Sequence, residues 1–345
     1  MKDRLLVAIV SLLVLVAIAL PGPVLEARPT LFDSPPLTSP PPWPLTWVEM
    51  APMPTPRYYA GIAVSNQQKI YVIGGDNYTC VPLTTVEEYD PETNSWRARA
   101  ALPTGRWYLG AATGADHQIY AIGGLGGDPC GAGPNVLDTV EVYDPRFDEW
   151  TTRASMPTPR YLLGVVAGAN GKIYAIGGEN ETGVLDIVEE YDPIADTWTQ
   201  KAGMPMARAA FASVAASNGK IYLIGGYGDD TVVLEFDPVA DIWVQKASMP
   251  TGRYDLGAAA VKNGLIYAAG GEHGGASNTV EAYDLTNDSW VPATSLSGAR
   301  RGLAVAAVHK FVYAIGGWEI RPNGWEGPVG LVEAALTPNI NRPRP

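Results

Sequence analysis

The stretch KIYVIGG, residues 69–75, decides the fold because the chain carries six versions of it. The others are QIYAIGG (118–124), KIYAIGG (172–178), KIYLIGG (220–226), LIYAAGG (265–271) and FVYAIGG (311–317). Each is a short apolar run that ends in a glycine pair: Gly74 and Gly75, Gly123 and Gly124, Gly177 and Gly178, Gly225 and Gly226, Gly270 and Gly271, Gly316 and Gly317. A tyrosine precedes the first glycine by three residues every time (Tyr71, Tyr120, Tyr174, Tyr222, Tyr267, Tyr313). Working outward, a second block follows in five copies: VEEYDPETNSW (86–96), VEVYDPRFDEW (140–150), VEEYDPIADTW (188–198), VLEFDPVADIW (233–243) and VEAYDLTNDSW (280–290). A third block runs from a tryptophan to an arginine ten residues on, as in TWVEMAPMPTPR (46–57) and SWRARAALPTGR (95–106). Its tryptophans are Trp47, Trp96, Trp150, Trp198, Trp243 and Trp290; its arginines are Arg57, Arg106, Arg160, Arg208, Arg253 and Arg300.

A repeat of this length built from short alternating runs predicts a four-stranded blade, and such blades stack radially around a shaft. Paired glycines permit close backbone approach at a strand end. Tyrosine and tryptophan at fixed spacing fill the wedge between blades. Asp-Pro opens a tight hairpin turn. The last unit runs through Gly316 and Gly317 to LVEAAL (331–336) and stops without its tryptophan block, while the block at Trp47 has no glycine pair before it. The two halves complete one blade. The expectation is an all-β, six-bladed propeller over residues 45–338, closed by an N-terminal outermost strand, because closure removes exposed sheet edges.

The double glycine, the spaced Tyr and Trp and the turn between them resemble the kelch repeat. The resemblance covers about residues 46–336 in six in-register copies. It implies a kelch-type propeller similar to exported bacterial kelch proteins. It also implies two functional readings: a non-catalytic binding module for a protein or glycan, or a sugar-processing enzyme similar to sialic-acid mutarotases.

The flanks are different material. Lys2 and Arg4 precede an apolar run from Leu5 to Leu20 broken only by Ser11. Residues 1–20 read as a signal peptide or a signal anchor, since the run is slightly short for a membrane span. Residues 21–44 hold nine prolines and read as an extended spacer. Residues 339–345 form a C-terminal tail. The propeller is therefore expected outside the cytoplasm, secreted or membrane-anchored through the leader alone. The formal net charge is −12, which disfavours a nucleic-acid partner.

The turns bearing the arginines and the loops after the glycine pairs fall on one face. Those loops vary most in length: DNYTCVPLTT (76–85), LGGDPCGAGPNVLDT (125–139) and WEIRPNGWEGPVGL (318–331). Loops on a rigid scaffold carry function, so this is the expected binding face. The arginine ring, with the aromatics Tyr58, Trp107, Tyr161 and Tyr254 that follow four of its members, is a candidate ligand site. The kelch resemblance implies that arginines at this place can hold carboxylates; the plainer reading is that they brace adjacent turns. Ala209 and Arg301 break the aromatic pattern. Glu179 and Glu272, directly after glycine pairs, and Glu319, one residue later, point to the same mouth, as candidate acid or base groups or as solvated loop carboxylates. Cys80 and Cys130 lie in loops of adjacent blades and form a candidate disulfide in an oxidising compartment. Three histidines, two of them in turns on the far face, supply no metal site, and no cofactor motif is present. Copper oxidases with kelch-like propellers need a tyrosine–cysteine pair and two histidines at the mouth, which this sequence lacks.

Overall fold

The computed structural model describes residues 45–79, 81–128, 133–321 and 323–338. The leader, the proline-rich spacer, the C-terminal tail and both cysteines, with their expected bridge, lie outside the described residues. Strands and turns make up the described chain, with no helix among them.

Six four-stranded antiparallel sheets form the blades, each labelled a to d from the inside outward. In blade 1 these are Gly61–Val64, Ile70–Ile73, Val86–Asp90 and Ser95–Arg99. Blade 2 starts at Gly110–Thr113, blade 3 at Gly164–Ala167, blade 4 at Ala212–Ala215 and blade 5 at Gly257–Val261. In blade 6, Ala304–Val308, Phe311–Ile315 and Val332–Leu336 are joined by Trp47–Glu49 as strand d, with Trp47 opposite Ala335. The N-terminal strand thus closes the ring as expected, and the a strands touch in an unbroken cycle around the shaft.

The repeated residues are the joints between blades. Six buried apolar clusters each draw on two neighbouring blades; Tyr71 and Ile73 of blade 1, for example, pack with Ile119, Ala121 and Tyr143 of blade 2. Each of the six repeat tryptophans donates from Nε1 to a carbonyl of the adjoining blade, as Trp150 does to Ala100 at 2.9 Å and Trp47 to Thr294 at 2.8 Å. An Asn or Asp in the left-handed region turns each c–d hairpin; Asp148, at φ 57°, accepts from both Tyr143 Oη and the amide of Ala100. Asn and Asp tolerate that region better than other side chains. The glycine pairs complete the joint. Gly124 donates to Arg160 O of the next blade at 3.0 Å, while Gly123 holds φ +64° against the same carbonyl.

Candidate functional site

The six arginines stand first in the walk toward the shaft, and all are withdrawn from solvent, each at most 1 % exposed. Five pair with a glutamate on strand c of their own blade: Arg57 with Glu87, Arg106 with Glu141, Arg160 with Glu189, Arg253 with Glu281 and Arg300 with Glu333. Carbonyls at the glycine pairs accept from four of these five arginines, as Gly270 O does from Arg253 at 3.0 Å. Burial pushes these guanidiniums below their ordinary value, with the paired glutamate opposing the shift. Blade 4 departs from the pattern. Leu234 takes the place of the glutamate and Met206 that of the threonine which donates to it in blades 1, 2, 3 and 5, and Arg208 bonds to the carbonyls of Gly225 and Asp229. Of the two readings of the ring, carboxylate grip or brace, these contacts are those of internal braces, because a buried charge is stable only when paired and hydrogen-bonded.

The next three residues of each turn build the mouth in tiers. Tyr58, Trp107, Tyr161, Ala209, Tyr254 and Arg301 form the outer tier, and five of them pair with the residue after the glycine pair, as Tyr161 does with Glu179 and Arg301 with Trp318. The middle tier is Tyr59, Tyr108, Leu162, Ala210, Asp255 and Gly302, all with φ between 51° and 58°. Their backbones form a closed hydrogen-bonded collar. Tyr108 N donates to Tyr59 O, Leu162 N to Tyr108 O, Ala210 N to Leu162 O, Asp255 N to Ala210 O, Gly302 N to Asp255 O and Tyr59 N to Gly302 O, all within 2.9–3.1 Å. Five of the six are not glycine, and strain of this kind costs on the order of 1 kcal/mol or more per residue. The inner tier, with Leu109, Leu163, Phe211, Leu256 and Leu303, opens into a shaft cavity of about 500 Å³ in which Thr113 and Ser213 carry the only polar side chains among the described residues.

Side chains divide the mouth into two halves. On one side Tyr59 and Tyr108 lie 4.0 Å apart between centroids, Trp107 stacks on Tyr108 at 4.3 Å, and Tyr58 links Tyr59 to Trp318 at 4.7 and 5.1 Å. On the other side lie Asp255 and the ion pair of Glu272 with Arg301. Asp255 is buried and accepts from Tyr59 Oη at 2.7 Å. Burial pushes its carboxyl up to about 6, with the Tyr59 hydrogen bond pulling downward, Glu272 upward and Arg301 downward. Asp230, in the b–c loop of blade 4, lies 2.7 Å from Nδ1 of His273. Three buried donors, Trp107 Nε1, Arg301 Nε and Trp318 Nε1, have no acceptor among the described residues.

Comparison with known proteins agrees with this geometry. A family model described as the KLHDC2/KLHL20/DRC7 Kelch-repeats domain matches residues 45–226, more than half of the chain, and the Kelch motif matches 208–250 and 256–297. The chain belongs to the kelch-repeat family. Curated protein sequences return no match. Among solved structures, the one described as "Structure of YjhT" aligns with a TM-score of 0.70 at 20% identity, covering 85% of this chain and 98% of that one. That likeness concerns the fold.

Within the kelch frame the expected site residues separate. Tyr58, Trp107, Tyr161 and Tyr254 stand at the mouth, as does Glu272, whose carboxylate is already held by Arg301. Glu179 is half-buried at the start of a two-residue hairpin with Gly183–Val184. Glu319 is buried beside Arg321. The middle tier escaped the sequence reading, although it lies at a fixed register two residues after each arginine. Asp255 is the one acid at that register, and this was the available signal.

Proposed function

We propose that this kelch propeller is a binding module that takes a neutral, hydroxyl-rich carbohydrate ring in the mouth of its shaft. One observation carries the reading: a continuous aromatic crescent faces a group of carboxylates in which the neighbouring cations are already paired. Flat aromatic faces suit the apolar face of a sugar ring, and carboxylates accept from its hydroxyls. Arg301 is held by Glu272, and the six brace arginines are buried, so no unpaired cation faces the mouth among the described residues. Asp255, Asp230, Asp76 and Glu179 leave that surface acidic, which repels an anionic ligand.

The test is calorimetric titration with glucose, galactose and mannose, and with their uronic acids. Binding of a neutral sugar that is lost in Tyr108→Ala supports the mouth. Tighter binding of the uronic acids, or neutral binding untouched by Tyr108→Ala, would sink it.

Asp255 favours a second reading, anomer exchange by a mouth carboxyl. A carboxyl with a pKa near 6 holds its proton part of the time at neutral pH and so both gives and takes one. Proton NMR of anomer exchange checks this, and an unchanged exchange rate with added protein excludes it. Display outside the cytoplasm goes with both readings and rests on the leader at residues 1–20; recovery of the protein from the cytoplasmic fraction would contradict it.

A further inference from the structure

The outer edge of blade 4 differs from the other five. Its strand c is Val233–Asp237 and its strand d is Ile242–Lys246. Trp243 Nε1 donates to Ala202 O of blade 3 at 3.0 Å, so Ile242, Val244 and Lys246 face the other way, toward blade 5. Lys246 Nζ lies 3.6 Å from Asp288 there. Ile242 is 53 % exposed and Val244 44 %, and Val239, in the turn just before, is 85 % exposed. Every other blade has a serine, threonine or glutamate where blade 4 has Ile242: Thr46, Ser95, Glu149, Thr197 and Ser289. Blade 5 also has Pro292 at the Gln245 position, which removes an N–H from its edge. Blade 4 alone presents apolar side chains at both positions, and an unprotected apolar edge is a template for another strand.

The backbone of this edge fits a second copy of itself. In blade 3, Lys201 N donates to Val188 O at 2.9 Å, and Lys246 stands opposite Val233 in the same register. Peptide groups alternate in direction along an antiparallel strand. Ile242, Val244 and Lys246 therefore turn theirs toward strand c, while Trp243 and Gln245 turn theirs outward. Those outward N–H and C=O groups have no partner among the described residues.

We infer that the propeller forms a two-fold dimer by antiparallel pairing of Ile242–Lys246 with the same strand of a second copy, centred on Val244. Trp243 of each copy then exchanges both backbone hydrogen bonds with Gln245 of the other. The two Val244 side chains meet at the axis, in the closely spaced non-hydrogen-bonded position. Each Ile242 lies beside the aliphatic stem of the other copy's Lys246. Charge favours this occupant. Asp237 lies opposite Ile242 at the start of the strand and Lys246 stands at its end, so antiparallel pairing brings the basic end of each copy to the acidic start of the other. The net charge of −12 opposes unspecific self-association, so pairing depends on this local match. The interface is isologous and closes on itself, which limits assembly to two. Strand d runs from the far face toward the mouth face. The partner is therefore inverted, and the dimer opens its two mouths on opposite sides, able to link two ligands whatever each mouth binds.

Sedimentation velocity of the full chain over a dilution series should show a monomer–dimer equilibrium. Val244→Lys sets like charges face to face at the axis and should weaken dimerisation by about tenfold or more. That side chain is exposed, and melting curves confirm that the variant folds. Oxidised glutathione should link Val244→Cys into a covalent dimer, since Cα atoms in a non-hydrogen-bonded pair lie about 4.5 Å apart. Ile242→Cys should stay unlinked. Its two copies are four residues out of register, about 14 Å apart, and a disulfide spans at most about 7 Å. Wild type, with Cys80 and Cys130, is the blank, and the leader common to all four chains keeps any association through residues 1–20 equal. A chain that stays monomeric overturns the dimer, whether its edge is then bare or takes a different protein. So does a dimer that Val244→Lys leaves unchanged, or a Val244→Cys chain that links no more readily than Ile242→Cys.

Discussion

The phenol of Tyr59, in the turn entering blade 1, donates to Oδ2 of Asp255, in the turn entering blade 5, at 2.7 Å. These residues are 196 apart in sequence, and the hydrogen bond passes over blade 6. It does so because blade 6 offers Gly302: a Cβ there would lie 2.6 Å from the Tyr59 ring. Gly302→Ala should therefore displace Tyr59. The positive φ alone costs about 1 kcal/mol, and five neighbours bear it without being glycine, so the collision with the ring decides the outcome. Tyr59→Phe should raise the Asp255 pKa above 6, since the phenol hydrogen bond holds it down. Carboxyl carbon NMR of Asp255 measures both, and an unmoved titration in Tyr59→Phe contradicts the bond.

Stability should carry the signature of Asp255. Its folded pKa of about 6 lies above the ordinary aspartate value near 3.9. Between about pH 4 and about pH 6 the native state then holds more protons than the unfolded chain, so stability falls as pH rises through that window and stays lower above it. Asp255→Asn cannot ionise and keeps an acceptor for Tyr59. It should match wild type below about pH 4 and exceed it at neutral pH by on the order of 3 kcal/mol. Urea denaturation across the range reads the difference; parallel curves would show that Asp255 titrates normally.

The brace arginines should differ in what their loss costs. Arg106→Met strands the buried Glu141, and breaking such a pair costs about 3–5 kcal/mol. Arg208→Met strands no carboxylate, because blade 4 has Leu234 at that place; it loses two bonds to carbonyls, about 1–3 kcal/mol. Chemical denaturation midpoints should rank Arg208→Met as the milder change. Equal losses would mean that the carboxylate partner is not what makes the other five costly.

The difference between these residues also marks where the sequence was legible. Gly123, Trp150 and Asp148 act between adjacent blades through backbone contacts that recur at every turn, so their spacing alone located them. The unpaired halves at Trp47 and Leu331–Leu336 announced ring closure for the same reason. The arginines were located but not aimed. Spacing places Arg106 at the mouth face, yet only the structure shows its side chain turned inward onto Glu141. The change to Leu234 in blade 4 was a visible hint that arginine and glutamate form one unit, since blade 6 keeps Glu333 even with Gly298 at the threonine position. The middle tier was hidden because tyrosine, leucine and alanine rarely take positive φ, so nothing in RYYAG signals that Tyr59 turns toward the shaft; only the acid at the same register in RYDLG sets Asp255 apart. Their meeting depends on the geometry of the whole ring.

The glycine pairs offer a test of the inter-blade joint with an internal control. Gly264, in the a–b turn of blade 5, has φ +86° with nothing within 4 Å of an added Cβ. Gly264→Ala should cost only the conformational term, about 1 kcal/mol. Gly123 has a similar φ of +64°, but its Cβ would meet Arg160 O of the next blade at 2.6 Å. Relief requires blade 2 and blade 3 to part, which also weakens the bond from Gly124 N to that same carbonyl. Gly123→Ala should therefore cost at least about 2 kcal/mol more than Gly264→Ala, as overpacking against fixed backbone does. Denaturant midpoints at equal slope compare them directly. Equal midpoints would assign the glycine pairs to backbone conformation alone and remove them from the joint.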